Sequence, residues 1–507
     1  MTTLSQKNQV LVLGLLLIAA RILMYAFTGF TSDDAFITYR YAQNISEGKG
    51  FTYNEGEKVQ GTSTPLFTLV LSVVSVAFGP AAIPAAARSI AVAADLGTLF
   101  LLVRICAPMG SASVFLAAAL YALFPKVVLI SVSGMETPIV VMLMILSFDC
   151  LRRNAIPAAM FVLGLMLIVR VDAAVWVLVV LAGMIWRRES PRLADLGITA
   201  AVAGSWFVFA ALYFGSSLPH SVVAKNISWE HLFPVFDPLR VMLGYLPFQG
   251  LSGLPPPGQA VVVLLMFAPV IVVLIEMYRR KNLLIIFPLF FVTYNLFFAF
   301  ARIVMADWYY LPGYAAYSVT VAGFLPIVAR RVGLPDSGGT YGFGARVAIV
   351  ALLLILLGIG TYRWKKNPGE WFLKEHTRVG RWLEANAPPG SSILLEPVGY
   401  IGWVSRLYVH DAVGLVSPRV IDYRNRFRGS DAWYAAYIHD MKPSFVLLQN
   451  REFDRNTLFL GHGDGMFRAP ESMGWFTSQY RRVEFPPGSE WQEGPHFILF
   501  ERIGAVE

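Results

Sequence analysis

The chain has 507 residues, of which 15% are charged, and a mean hydropathy of +0.57. A soluble globular chain carries about a quarter charged residues, so the composition excludes that class. The net charge of +8 does not point to nucleic acid, because much of the basic excess lies between apolar runs, where Lys and Arg fix membrane orientation.

Apolar runs of roughly 18 residues recur through the first 363 positions and predict a polytopic α-helical membrane protein. About eleven spans are expected, near 9–28, 85–105, 111–131, 136–151, 155–170, 172–187, 195–214, 259–278, 283–301, 308–329 and 345–363. The first run is too long for a cleaved signal peptide and lacks its small-residue site. Cys106 and Cys150, the only cysteines, end apolar runs and imply no disulfide framework. The run 65–79, "PLFTLVLSVVSVAFG", is short for a crossing helix. Basic residues decide its placement. If 65–79 does not cross, then Lys7, Arg104, Arg152, Arg153, Arg187, Arg188, Arg192, Arg279, Arg280, Lys281, Arg330 and Arg331 all face the cytoplasm. If it crosses, the later clusters turn outward. The segment is therefore read as a juxtamembrane helix at the outer surface, with the N-terminus inside and the C-terminus outside.

After Tyr362 the composition changes to a basic linker, followed by an amphipathic helix near 369–386 and the breaker Pro388-Pro389-Gly390. Short strands are expected at 392–395, 445–448 and 497–500, with "RRVEF" and "FILFERI" as closing antiparallel partners. Two parts result: a membrane domain over 1–363, whose first outer loop is 29–84, and an extracytoplasmic α/β domain over 366–507. No internal repeat or low-complexity tract is seen.

This topology sorts the unusual polar residues by side. Asp33, Asp34 and Arg40 lie in the first outer loop, Glu136 in the second, Arg170 and Asp172 in the third. His220 and Lys225 lie in the fourth, Arg302, Asp307, Trp308 and Tyr309 in the fifth. The inner loops offer little beyond Arg and Lys. Ionisable groups near lipid are costly and usually face a protein interior or wet cavity, so their common side predicts a polar site at the outer boundary. Such a site suits a substrate with a charged headgroup and a lipid tail. Lys225, Arg302, Arg40 and Arg170 are candidate phosphate ligands, since charge-assisted bonds to phosphate are strong. A carboxylate can take the proton of an acceptor hydroxyl. Plainer readings stand beside these. Asp33 and Asp34 can cap helix 33–47, Glu136 can cap the fourth span, and Arg170 with Asp172 can form a simple salt bridge. Lys225 can be a solvated lysine, His220 a structural hydrogen-bonder, and Trp308 and Tyr309 interfacial aromatics.

The stretch "DDAFITYRYAQNISEGKGFTYNEGEKVQGTSTPL" resembles the first outer loop of bacterial GT-C glycosyltransferases related to mycobacterial arabinofuranosyltransferase B. "SGMETP", "SLPHSVVAK", "DWYYLP" and the late spacing of Asp411, Gly414, Leu415 and Pro418 resemble further motifs of that group, so the likeness runs from about 30 to 420. His220-Ser221 replaces a usual Asn-Thr, and Val171 stands where Pro is common. The resemblance implies a GT-C fold and a multipass transferase of the bacterial plasma (inner) membrane. It would move a sugar, D-arabinofuranose, from a polyprenyl-phosphate donor to a glycan or protein acceptor on the outer face. It further implies Asp33 as first catalytic candidate, Asp34 as its partner or orienter, and Glu136 as a second acidic position. His220, Asp172, Asp307, Trp308 and Tyr309 would contact substrate. Some such enzymes use a divalent cation, and Asp33 with Asp34 would be the ligands for Mg or Ca.

Three other readings are set beside this one. The same architecture can transfer mannose or aminoarabinose. A transporter or flippase would place ionisable groups and broken helices near mid-membrane, often in inverted repeats, whereas here they share one side. A scaffold anchored by its membrane part does not account for five loaded loops.

Overall fold

The computed structural model describes residues 6–229, 238–246, 255–301, 305–331, 343–366, 372–427, 432–449, 470–483 and 497–504. Among them seven helices are long and apolar enough to cross a membrane: Asn8–Thr28, Pro80–Met109, Leu193–Phe214, Pro257–Arg279, Leu283–Phe300, Asp307–Arg331 and Gly344–Lys366. Ser111–Leu123 and Pro125–Val132 form an eighth only as a pair, bent by 51°. Pro125 causes the break, because it cannot donate to the helix ladder and its ring crowds the preceding turn. The carbonyls of Tyr121 and Ala122 that the break releases accept from the guanidinium of Arg21. Arg21 is itself paired with Asp95, Nε to Oδ2 at 2.9 Å, and both are buried. The Tyr121 hydroxyl donates to the other Asp95 oxygen at 2.7 Å. A charge pair in an apolar interior is tolerated when its remaining donors and acceptors are satisfied in this way.

The other three expected spans form short helices. Thr137–Arg152, Ile156–Val169 and Ala174–Trp186 have 16, 14 and 13 residues. At 1.5 Å per residue each is roughly 20–24 Å long, below the ~30 Å of a hydrocarbon core. They pack in the interior around Met144, Phe148, Met160, Leu163, Trp176 and Val180, and Trp176 Nε1 donates to Ser147 Oγ at 2.9 Å. Helix Pro65–Phe78 buries Phe67 and Leu71 together with Thr68, Ser72 and Ser75. It turns Leu69, Val70, Val73, Val76 and Phe78 outward, the last 78% exposed. An outward apolar face is the arrangement for contact with lipid rather than water.

Beside it runs helix Asp33–Ser46, in which every residue from Ala35 to Asn44 is buried. This helix lies between the membrane helices and a C-terminal α/β layer. The strands there are β1 (Ser392–Leu395), β2 (Tyr408–Asp411), β3 (Phe445–Gln449), β4 (Tyr480–Arg482) and β5 (Phe497–Arg502), in sheet order β2-β1-β3-β5-β4. β1 runs parallel to β2 and β3, while β5 is antiparallel to β3 and β4. β2 is additional to the strands expected. Its Tyr-Val-His-Asp sequence lacks an apolar run, although Val409 is fully buried. Strand side chains alternate between faces, so Ile393 and Leu395 enter one core and Leu394 the other. The first of these cores continues through Tyr41, Phe51 and Tyr53 of the first outer loop to Trp206 and Ala210 of a membrane helix. The α/β layer thus shares its interior with the membrane part.

Candidate active site

The first outer loop does two jobs, one on each side of helix Asp33–Ser46. On one side it grips the C-terminal domain. The Asp33 carboxylate accepts from the backbone N–H groups of Gly399 and Tyr400, at 2.8 and 2.9 Å, which open helix Gly399–Ser405. Nδ1 of His376 stands 3.1 Å from Asp33 Oδ1. At the other end of that seven-residue helix, Arg40 donates to the carbonyls of Gly402 at 2.6 Å and Leu407 at 2.7 Å, and its Nε to Tyr53 at 2.9 Å. An acid at a helix N-terminus and a cation at its C-terminus complement the dipole. Asp33 and Arg40, seven residues or roughly 10 Å apart, match the length of the helix they clamp. Close approach requires glycine: a methyl at Gly399 would meet the Asp33 carbonyl, and one at Gly402 the Tyr53 hydroxyl. The amide of Asn54 pairs with both backbone groups of Val409 on β2, at 2.9 and 3.0 Å, and Tyr53 Oη donates to Val398 at 2.6 Å.

Expected roles change accordingly. Arg40 does not fit a phosphate ligand, since all three guanidinium nitrogens are turned to backbone carbonyls inside the domain seam. Asp33 caps a helix 366 residues away rather than its own, whose N-cap is Ser32. Both Asp33 oxygens are engaged, and among the described residues no three His, Cys, Asp or Glu groups gather to hold a metal ion. Burial pushes the Asp33 carboxyl up, but His376 and the N–H donors of Tyr400 and Gly399 outweigh it and hold it below its ordinary value of 3.8.

Asp34 points elsewhere, because successive helical side chains diverge by about 100°. On its side, groups from four other outer loops converge. Ser32 N–H donates to the Ser133 carbonyl at 2.9 Å and Tyr39 Oη to that of Gly134 at 3.0 Å, folding the second outer loop against the first. Gly134 has φ of +83°, the left-handed region that favours glycine. The turn places Glu136 against Arg170, Oε1 to Nη1 at 2.5 Å. Arg170 Nε donates to Asp172 Oδ1 at 2.8 Å, and Tyr294 Oη donates to the other Asp172 oxygen at 3.0 Å. The Arg170 guanidinium lies 4.6 Å from the Tyr309 ring centroid and Lys225 Nζ 5.9 Å from it. Lys225 and Arg170 both act electrostatically on Asp34. Burial holds the Asp34 carboxyl above its ordinary value; Lys225 and Arg170 pull it down, and Asp33 adds to the rise. Burial would lower Lys225, but Tyr309 and Asp34 outweigh it and keep it firmly cationic. Glu136 is raised by burial against the pull of Arg170.

Three predicted residues fall outside this cluster or bear on it indirectly. His220 donates its backbone N–H to Gln60 at 2.8 Å and faces Gly414 and Asp422 of the C-terminal domain. That is a seam position, away from the Arg170 group. Trp308 packs with Phe36 and Met135. Asp307 binds a residue the sequence reading passed over: Lys126, whose Nζ lies 3.2 Å from Asp307 Oδ1 and 2.7 Å from the Gly244 carbonyl. Arg302 lies outside the described residues. Lys126 sits in an apolar run, but Pro125 before it was a signal of a broken span, and an ionisable residue within a span is a functional candidate by default. An apolar cavity of about 220 Å³ lies on one side of the Pro125–Val132 helix, lined by Tyr121, Phe124, Val127, Tyr245, Tyr314 and Tyr317. A second, of about 290 Å³, lies on the other side against Ser133, Asp307 and Trp308. A cation beside an apolar cavity can hold the phosphate of a lipid. A buried carboxylate beside cations can take a hydroxyl proton as a phosphate leaves.

Residues 369–500 match a family described as "Domain of unknown function (DUF8728)". No match was found among curated proteins. The fold is similar to ArnT from Cupriavidus metallidurans bound to undecaprenyl phosphate, with a TM-score of 0.58 at 10% identity over 98% of both chains. The apo ArnT structure gives 0.54 at 11% identity, covering 97% of this chain and 98% of that one. An oligosaccharyltransferase from Archaeoglobus fulgidus, tethered to an acceptor peptide, gives 0.53 at 12% identity over 88% of this chain and 69% of that one. These likenesses show the fold alone: a polytopic helical membrane architecture with a C-terminal domain.

Proposed function

We propose that this protein is a membrane glycosyltransferase that moves a sugar from a polyprenyl-phosphate donor to an acceptor hydroxyl, with Asp34 as the general base. The observation that carries this reading is the convergence of Asp34, Glu136, Arg170, Asp172, Lys225 and Tyr309 from five separate loops beside an outward apolar helix. The ArnT structure holds undecaprenyl phosphate on the same fold, which supports a lipid-phosphate donor. The first-loop motif supports D-arabinofuranose as the sugar. The topology of the basic residues supports catalysis on the outer face of a bacterial plasma membrane, with the N-terminus cytoplasmic.

In the proposed reaction the acceptor oxygen bonds to the anomeric carbon while the bond from that carbon to the phosphate oxygen breaks. The hydroxyl proton passes to Asp34, whose raised proton affinity suits a base. The electron pair leaves on the lipid phosphate, whose charge Lys225 and Lys126 stabilise on the two sides of the Asp307–Tyr310 turn. Arg170, held by two carboxylates, orders Glu136, Asp172 and the Tyr309 ring rather than binding phosphate itself. The outward face of Pro65–Phe78 receives the prenyl chain.

The test is incubation of the full-length protein in liposomes with polyprenyl-phospho-D-arabinofuranose, -mannose and -aminoarabinose, with products read by mass spectrometry. Release of polyprenyl phosphate from one donor, with gain of one sugar on an acceptor, is expected. If none of the donors is consumed the reading fails.

A further inference from the structure

A polar pocket of about 220 Å³ opens in the seam between the C-terminal half of helix Asp33–Ser46 and the C-terminal domain. Gln43, Glu47, Lys49, Glu55, Trp403 and Arg406 line it. None of these takes part in the chemistry described above, and no residue of the lipid-facing helix Pro65–Phe78 lines the pocket.

Apart from Arg40, which also lines it and is turned to backbone carbonyls, its charges are mutually matched. Lys49 Nζ lies 2.9 Å from Glu47 and 3.8 Å from Glu55, and Arg406 lies 3.3 Å from the other Glu47 oxygen. Gln43 donates its amide to that same oxygen at 2.9 Å. An ionic ligand of either sign would have to displace an ion pair. Hydroxyl groups, which both donate and accept, can insert among such pairs without leaving a charge uncompensated. Trp403 adds an apolar, half-buried ring at the wall, suited to the C–H faces of a sugar. The volume falls below the roughly 300–1,000 Å³ of clefts that enclose a whole ligand, so the pocket fits one unit of a longer chain. Its position completes the picture. Gln43 and Glu47 follow Asp34 along one helix, at roughly 14 and 20 Å by the helical rise. Asp34 faces the opposite side of that helix, so a glycan seated in the pocket reaches it by passing around the helix over several units.

We propose that this pocket is an acceptor subsite that holds one neutral sugar unit of a glycan, a few units back from the hydroxyl presented to Asp34. The assignment rests on the transferase reading for its purpose but not for its binding.

The test uses the full-length protein in detergent with two probes, a linear arabinofuranosyl hexasaccharide and maltohexaose, observed by saturation-transfer NMR. Saturation of internal units of at least one probe is expected. The double variant Glu47→Gln/Arg406→Ala, which alters exposed rim groups, should weaken its Kd at least tenfold. In the transfer assay the same variant should raise KM for the hexasaccharide by a similar factor and leave transfer to a single-sugar acceptor unchanged. Absence of signal from both probes, undiminished binding by the variant, or binding of a Ser/Thr-rich peptide in place of sugar would overturn the proposal. Binding that behaves as expected in a protein that consumes no donor would instead defeat the transferase reading and leave the subsite standing.

Discussion

Replacing Asp33 with Ala leaves the N–H groups of Gly399 and Tyr400 without the carboxylate they share, in a largely buried part of the seam. A hydrogen bond to a charged group contributes about 1.5–3 kcal/mol, and two on one carboxylate do not add fully, so a loss of about 3 kcal/mol is expected. At about 1.4 kcal/mol per tenfold change, local opening of the seam should become ~100-fold more frequent. Hydrogen–deuterium exchange of a peptide covering 397–405 reads this directly, because amides there exchange through that opening. Asp33→Asn keeps one acceptor oxygen and should show a smaller rise. Gly399→Ala should reproduce the loosening without touching a charge, since its methyl meets the Asp33 carbonyl. The depressed proton affinity of Asp33 fixes the pH dependence. Its stabilisation is fully present above its ordinary value of 3.8 and is lost as pH falls through the lower folded value, so protection should hold steady from neutral pH to about 4. Unchanged exchange in Asp33→Ala would refute the docking role.

Arg40→Lys should lower thermal stability by about 3 kcal/mol, because a point charge cannot serve three carbonyls as a planar fork does, while KM for the lipid donor stays unchanged. In the membrane interior, Arg21→Met and Asp95→Leu should each destabilise by about 3–5 kcal/mol. The double variant should recover part of the loss, which thermal unfolding in detergent will show. A cysteine at Ser217 should label with a membrane-impermeant reagent from outside the cell and one at Glu189 should not, both positions being exposed; the reverse result would invert the topology.

The membrane architecture was legible because apolar runs and basic ends are written locally. The ends of the short helices Thr137–Arg152, Ile156–Val169 and Ala174–Trp186 are set by turns and tertiary packing, which composition does not show. The loaded loops were also visible, and Glu136, Arg170, Asp172, Lys225 and Tyr309 do lie together. What each does was not legible. Asp33, Arg40, Tyr53 and Asn54 belong to the most recognisable stretch of the chain, yet they face a helix and strand some 350 residues further on. The spacing of Asp411 and Gly414 has a similar cause. The Asp411 carboxylate accepts from Val413 and Val416 to form a turn, and Gly61 packs against Val416 with no room for a side chain. A motif read as chemistry is thus in large part a docking surface. Lys126 was hidden for the opposite reason, its signal being a single Pro within an apolar run.

Asp33 and Asp34 are adjacent in sequence and separate in role, and a comparison of their Asn variants tests the central claim. Both proteins would be reconstituted in liposomes with the polyprenyl-phospho-sugar that the wild type consumes, and release of polyprenyl phosphate measured. Asp34→Asn should lose at least 100-fold in turnover with its fold intact, the range expected on removing a general base, while Asp33→Asn keeps most of its activity. Wild-type turnover in Asp34→Asn would contradict the account.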